Sequence, residues 1–191
     1  MRRTSRLACA VVVASLSFAR GAHAEEEAAP LPSKDIRWSA TLGGAADSGS
    51  LPRAAGGLAL GMDVRRGGLA ARAVTSLFAP QTEGTTGASV ALLDVVATVC
   101  ALAPLRTWFE AGGCTGVGFG VMRAAGVAVR PEGVASGRFD FVLSNRLILS
   151  LDAGTVVDPL RTAFPVAGAG DAERSSLFAF RGTLGLIARV W

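Results

Sequence analysis

Cys100 and Cys114 lie in two stretches of alternating apolar and polar residues on either side of a turn near 104–107. Pairing the stretches so that Cys100 faces Cys114 also sets Thr98 against Gly116 and Asp94 against Gly120. Directly opposed positions of an antiparallel pair can reach disulfide geometry, and an oxidising compartment favours the bond. The other reactive types are carboxylates and arginines. Asp152 and Asp158 in principle form a general acid–base pair, but structural ion pairing accounts for them more simply. Gly112, Gly113, Gly116, Gly118 and Gly120 imitate a phosphate loop, yet no helix start follows and most share one strand parity. A nucleotide site is not expected there. Such glycines instead leave room for Trp108 or for arginines of neighbouring strands. The sole histidine, His23, lies in a segment expected to be removed. No Ser-His, Cys-His or metal-spaced cluster then remains, and no catalytic residue, metal or cofactor is expected.

That removable segment opens with Met1-Arg2-Arg3-Thr4-Ser5-Arg6, continues as an apolar run from Leu7 to Ala19, and ends Ala22-His23-Ala24. Basic, apolar and small-residue regions in this order read as a signal peptide over 1–24, cleaved after Ala24. Its apolar run is shorter than the ~20 residues that span a bilayer. Residues 25–34 read as a flexible leader and 35–191 as one domain. The precursor carries 19 basic and 15 acidic residues. Losing Arg2, Arg3, Arg6 and Arg20 leaves 15 against 15, so the basic pI of the precursor is no argument for nucleic-acid binding.

The elements that must position the charged residues are strands. Alternation recurs eight times: Ile36–Leu42, Leu58–Arg65, Leu69–Leu77, Leu93–Ala101, Trp108–Val121, Arg138–Leu143, Arg146–Asp158 and Phe178–Val190. In each, the charges fall on the parity opposite the apolar set. Short turns near 65–68, 104–107 and 144–145 alternate with longer links near 47–53, 80–88, 123–136 and 160–175. Mean hydropathy is +0.43, yet no mature segment has 18 unbroken apolar residues. These features predict an all-β fold: an eight-stranded antiparallel up-and-down transmembrane barrel with short periplasmic turns and longer outer loops. The apolar faces hold many small residues, which suit acyl chains better than a core. The opposite faces nearly balance: Arg37, Arg65, Arg72, Arg138, Arg146, Arg181 and Arg189 against Asp63, Asp94, Glu110, Asp140, Asp152 and Asp158. A narrow lumen filled by these side chains would be plugged by ion pairs. Cys100 and Cys114 would lie inside it, near the periplasmic end.

With Ala22-His23-Ala24, the eight alternating segments and a final strand ending at Trp191, the chain resembles the small outer-membrane β-barrels of the OmpA/OmpX-like superfamily over about 35–191. The resemblance is architectural. It implies outer-membrane lipid as the surroundings, insertion by the barrel-assembly machinery through a terminal aromatic signal at Trp191, and a monomer. The expected role is non-enzymatic: envelope structure, or presentation of the links near 80–88, 123–136 and 160–175. No nucleic-acid partner is expected. The alternatives are a secreted or periplasmic lipocalin-like carrier of a small apolar ligand, a lipid-acting barrel enzyme, and a narrow ion channel.

Overall fold

The computed structural model describes residues 35–51, 53–83, 88–123, 126–160, 163–164, 173–174 and 176–190. The segments expected to be a signal peptide and leader, and Trp191, lie outside the described residues. Strands β1 (Ile36–Ser48), β2 (Ala55–Arg66), β3 (Leu69–Glu83), β4 (Ala88–Arg106), β5 (Phe109–Arg123), β6 (Val127–Val142), β7 (Leu147–Val157) and β10 (Phe178–Arg189) form the barrel. A two-stranded ribbon, β8 (Ala163–Phe164) with β9 (Glu173–Arg174), lies between β7 and β10 in sequence. Every barrel pairing is antiparallel, and β1 pairs with both β2 and β10, so the eight-stranded sheet closes with no edge along its shared rungs.

Closure gives each strand an outside and an inside. Leu42, Leu60, Leu77, Val99, Val117, Val129, Leu151 and Phe180 project outward, with Leu60 59% and Phe180 69% exposed. Ser39, Thr41, Asp47, Asp63, Arg72, Asp94, Arg138 and Asp140 are buried inside. The period of two along a strand produces this sorting.

The short turns fall at 67–68, 107–108 and 143–146, as the alternation predicts, and Gly67 takes φ +60 in the first of them. The longer links differ from the sequence expectation. Residues 80–83 continue β3, Ala88 already belongs to β4, and β6 begins at Val127 rather than beyond 136. Prolines disguise these extensions. Pro80 falls where the β3–β4 register shifts between Phe78 and Gln81, and a bulge tolerates a missing N–H. Pro131 pairs with Phe119 of β5, while β6 has no register partner on β7 before Gly133. Pro131 therefore removes no ladder bond on that side. Trp108 also departs from expectation. It sits at the β4–β5 turn, 56% exposed and stacked on Phe141, instead of filling the lumen.

The lumen is not polar throughout. Ala45, Leu51, Ala55, Ala59, Phe78, Val90, Leu92 and Met122 form a buried apolar cluster toward the end where the longer links lie. Ala70, Cys100, Leu102 and Cys114 form a smaller one toward the turn end, and Cys100 and Cys114, direct register partners, are joined by a disulfide. The bridge closes a 14-residue separation. Loop entropy for that length corresponds to about 3 kcal/mol. The double substitution Cys100→Ser/Cys114→Ser is expected to lower unfolding free energy by about that amount, measured by urea titration in detergent micelles.

Candidate functional site in the barrel lumen

Two layers of charge cross the lumen. In the layer nearer the turns, Arg138 of β6 lies 2.6 Å from Asp63 of β2 and 2.9 Å from Asp140 of its own strand. Arg72 of β3 pairs with Asp152 of β7 and stands 3.8 Å from Asp63. The hydroxyl of Thr41 donates to Asp63 at 2.9 Å. The second layer is built on Arg181 of β10. Its guanidinium pairs with Asp94 of β4, lies 3.2 Å from Asp47 of β1 and donates to Glu132 of β6 at 3.0 Å. Arg130 lies 2.7 Å from Glu132, an ion pair whose angle falls short of a hydrogen bond. Ser50 donates to Asp47 from its backbone N–H at 3.0 Å and its hydroxyl at 2.8 Å. Each layer thus sets two guanidiniums against three carboxylates.

Neighbouring side chains fix these positions. The Arg181 guanidinium lies 5.5 Å over the Phe78 ring, at the boundary between the second layer and the apolar cluster. Gly120 of β5 makes room for the Arg130–Glu132 pair: a Cβ there would stand 2.8 Å from Glu132 Oε1 and 2.9 Å from Arg130 Nε. Glycine is needed here for volume, not for its dihedral freedom. Between the layers is a cavity of about 60 Å³, walled by Val74, Val96, Val134 and Val156 and bounded by Arg72, Asp152, Asp94 and Arg181.

The residues singled out in the sequence separate into three groups. Asp63, Arg72, Asp94, Arg138, Asp140, Asp152 and Arg181 belong to the two layers. Arg65 and Glu110 make a separate pair at the turn end. Arg37 and Arg146 are exposed at that end, and Arg189 donates to the carbonyl of Asn145 at 3.3 Å. Asp158 lies just past β7 at the other end, buried, accepting the N–H of Leu160 at 3.1 Å. Asp152 and Asp158 are six residues apart along an extended chain, about 20 Å, too far to act on one bond. Sequence reasoning misses Asp47, Arg130 and Glu132, which fall within the links expected at 47–53 and 123–136. The run Val127-Ala128-Val129-Arg130-Pro131-Glu132 carries the same alternation as the strands and could have revealed two of them. Among the described residues no group of three or more histidine, cysteine or acidic side chains is arranged to hold a metal ion.

No protein-family model matches the sequence, and no curated protein matches it. Solved structures do. Ail, the attachment invasion locus protein of Yersinia pestis, in complex with the heparin analogue sucrose octasulfate, superposes with TM-score 0.54 at 10% identity, over 81% of this chain and 99% of that one. Neisserial surface protein A, NspA, gives 0.55 at 11% identity over 81% and 96%. The outer membrane protein OprG from Pseudomonas aeruginosa gives 0.54 at 11% identity over 81% and 95%. The likeness is one of fold. It is the eight-stranded architecture that the alternating segments predict.

Removing Arg181 would take from Asp47 and Asp94 the guanidinium they pair with, while Arg130 pairs with Glu132. Arg181→Gln is expected to cost about 3–5 kcal/mol, the usual penalty for breaking a buried pair. Arg146→Gln, at an exposed position, should leave the unfolding midpoint within the scatter of the wild type. Urea titrations of the two variants in the same micelles check both outcomes.

Proposed function

We propose that this chain is a non-enzymatic, monomeric transmembrane barrel of the bacterial outer membrane, exported by a signal peptide cleaved after Ala24 and inserted by the barrel-assembly machinery. The supporting observation is the inverted distribution of polarity on a closed sheet. Large apolar side chains are exposed on every barrel strand, including Leu58, Leu60 and Met62 of β2 and Leu184 and Leu186 of β10, while acidic and basic side chains such as Asp63, Arg72, Asp94 and Arg138 are buried within. A water-soluble monomer rarely exposes more than a few hundred Å² of contiguous apolar surface, whereas a membrane barrel must face lipid with such residues.

The lumen bears on the activity. Two ion-paired layers and two apolar clusters occupy it, and their side chains would block the passage of ions along the axis. A lipocalin-like carrier needs a ligand pocket of at least about 300 Å³. The cavity between the layers measures about 60 Å³ and is bounded by paired charges, which supports a filled barrel over a carrier. Its contribution to the cell would then be envelope structure or display. Display would rest on the tips of the β3–β4 and β5–β6 hairpins and on the connection from β7 to β10.

Expression of the full chain in a Gram-negative host should give a band in the outer-membrane fraction whose mobility on a denaturing gel changes on boiling. A detergent-free soluble band with no change would contradict the reading. Leu60→Arg, which points a cation outward on β2, should lower stability in phospholipid vesicles by about 2–4 kcal/mol if the position lies near the bilayer midplane. No loss relative to Leu60→Ala would count against lipid at that face.

A further inference from the structure

The two ends of the barrel differ in charge. Beyond the layer nearer the turns, the described charges are Arg37, Arg65, Arg66, Arg106, Arg146 and Arg189 against Asp35 and Glu110. Glu110 pairs with Arg65, and Asp35 is also engaged. Whichever pairs form, the guanidiniums outnumber the carboxylates by four. Arg37 and Arg65 are direct register partners on β1 and β2, an arrangement that costs stability between like charges. Arg37, Arg66, Arg106 and Arg146 are exposed. At the opposite end the sequence mixes signs, with Arg53 and Arg123 against Glu83 and Asp158.

Aromatic side chains accompany the arginines. Trp38 and Trp108 are 46% and 56% exposed at the same end, and Phe109 packs between Trp108, Phe139 and Phe141. Exposed Ile36, Leu105 and Leu143 stand beside these cations in sequence or across the turns. Tryptophan and phenylalanine with interspersed arginine form the chemistry of a membrane–water boundary, where rings lie at headgroup depth and guanidiniums reach past them.

We propose that this rim binds anionic phospholipid headgroups. The inference rests on the transmembrane reading above. Arginine donates in a fork that fits phosphate oxygens, and a negative headgroup supplies counter-charge for the excess of guanidiniums among the described residues of the rim. A free anion in the lumen mouth would need the cations to converge on one point. Arg37, Arg65 and Arg189 do converge on a recess in the lumen mouth, but it measures only about 20 Å³. Arg66, Arg106 and Arg146 lie outside it, exposed on β2, β4 and the β6–β7 turn beside apolar side chains, and that distribution matches a surface.

The test uses the full chain refolded into vesicles of phosphatidylcholine and phosphatidylglycerol, in which one or the other lipid is brominated. Quenching of tryptophan fluorescence, including that of Trp38 and Trp108, reads which lipid sits at this end. Phosphatidylglycerol should be favoured about five-fold, the ratio for roughly 1 kcal/mol per charge near the surface. The preference should fall toward unity in about 0.5 M salt, where screening is strong. It should also fall in the Arg66→Gln/Arg106→Gln/Arg146→Gln variant and persist in Arg53→Gln/Arg123→Gln. Equal quenching by both lipids in the folded wild type overturns the inference, as does a preference that survives salt or the triple substitution. Should the triple variant fail to fold, the salt series on the wild type decides. A wild type with no heat-modifiable band in any vesicle would overturn the transmembrane reading itself.

Discussion

The pairing of β1 with β10 is the constraint on which the rest of the structure depends. Ten register pairs, from Ser39 opposite Arg189 to Ser48 opposite Phe180, join the first strand to the last. Without them the sheet would have two edges and two exposed faces. With them, each side chain must point either into a narrow lumen or away from it, and every charged residue on the inner parity must find a partner within the width of eight strands. The same pairing brings Asp47 of β1 within reach of Arg181 of β10. Closure and the second charge layer are therefore coupled.

The ion pairs are better regarded as a device for specificity than as a source of stability. Replacing a buried pair with apolar side chains is often neutral or favourable, while removing one partner is costly. The apolar cluster around Phe78, Leu92 and Met122 shows that this lumen accepts such filling. Guanidiniums shared among several carboxylates tie β2, β3, β4, β6, β7 and β10 to particular partners across the axis, and β1 to its neighbour β10. A one-residue slip of any of these strands would turn its charge outward, toward the apolar surface. β5 contributes differently, with Gly116, Gly118 and Gly120 on its inner parity providing space in place of charge.

Much of this was legible in the sequence because a period of two survives in strands that face two different media. The outward sets on β2, β3 and β10 were assigned from alternation, and the cysteine pair pointed to the observed β4–β5 register. Strand length was harder to read. Pro80 and Pro131 look like link residues, and whether a proline ends a strand depends on whether a neighbour needs its N–H, which is a property of the folded sheet. Arg130 and Glu132 were lost with Pro131. Asp47 was lost because a strand end beside Gly49 resembles a turn. The apolar cluster is not legible in the sequence because Phe78, Leu92 and Met122 lie on the inner parity among charged residues, and alternation alone does not distinguish a filled lumen from a charged one. Trp108 departs from the parity of Glu110 and Cys114 because it belongs to the turn, one residue before β5 begins at Phe109, where strand alternation no longer sets the side-chain direction.

The central claim is that the apolar face meets lipid and the charged face is the interior. Nitroxide labels on single added cysteines at Leu60 and Leu184, in protein refolded into phospholipid vesicles with the native disulfide formed, test it most directly. Collision rates with oxygen, which concentrates in acyl chains, and with a water-soluble nickel complex distinguish the two environments. The account predicts strong oxygen and weak nickel broadening at both positions. Strong nickel broadening at Leu60 and Leu184 in a folded, membrane-associated protein would show that the face is wet and would contradict it.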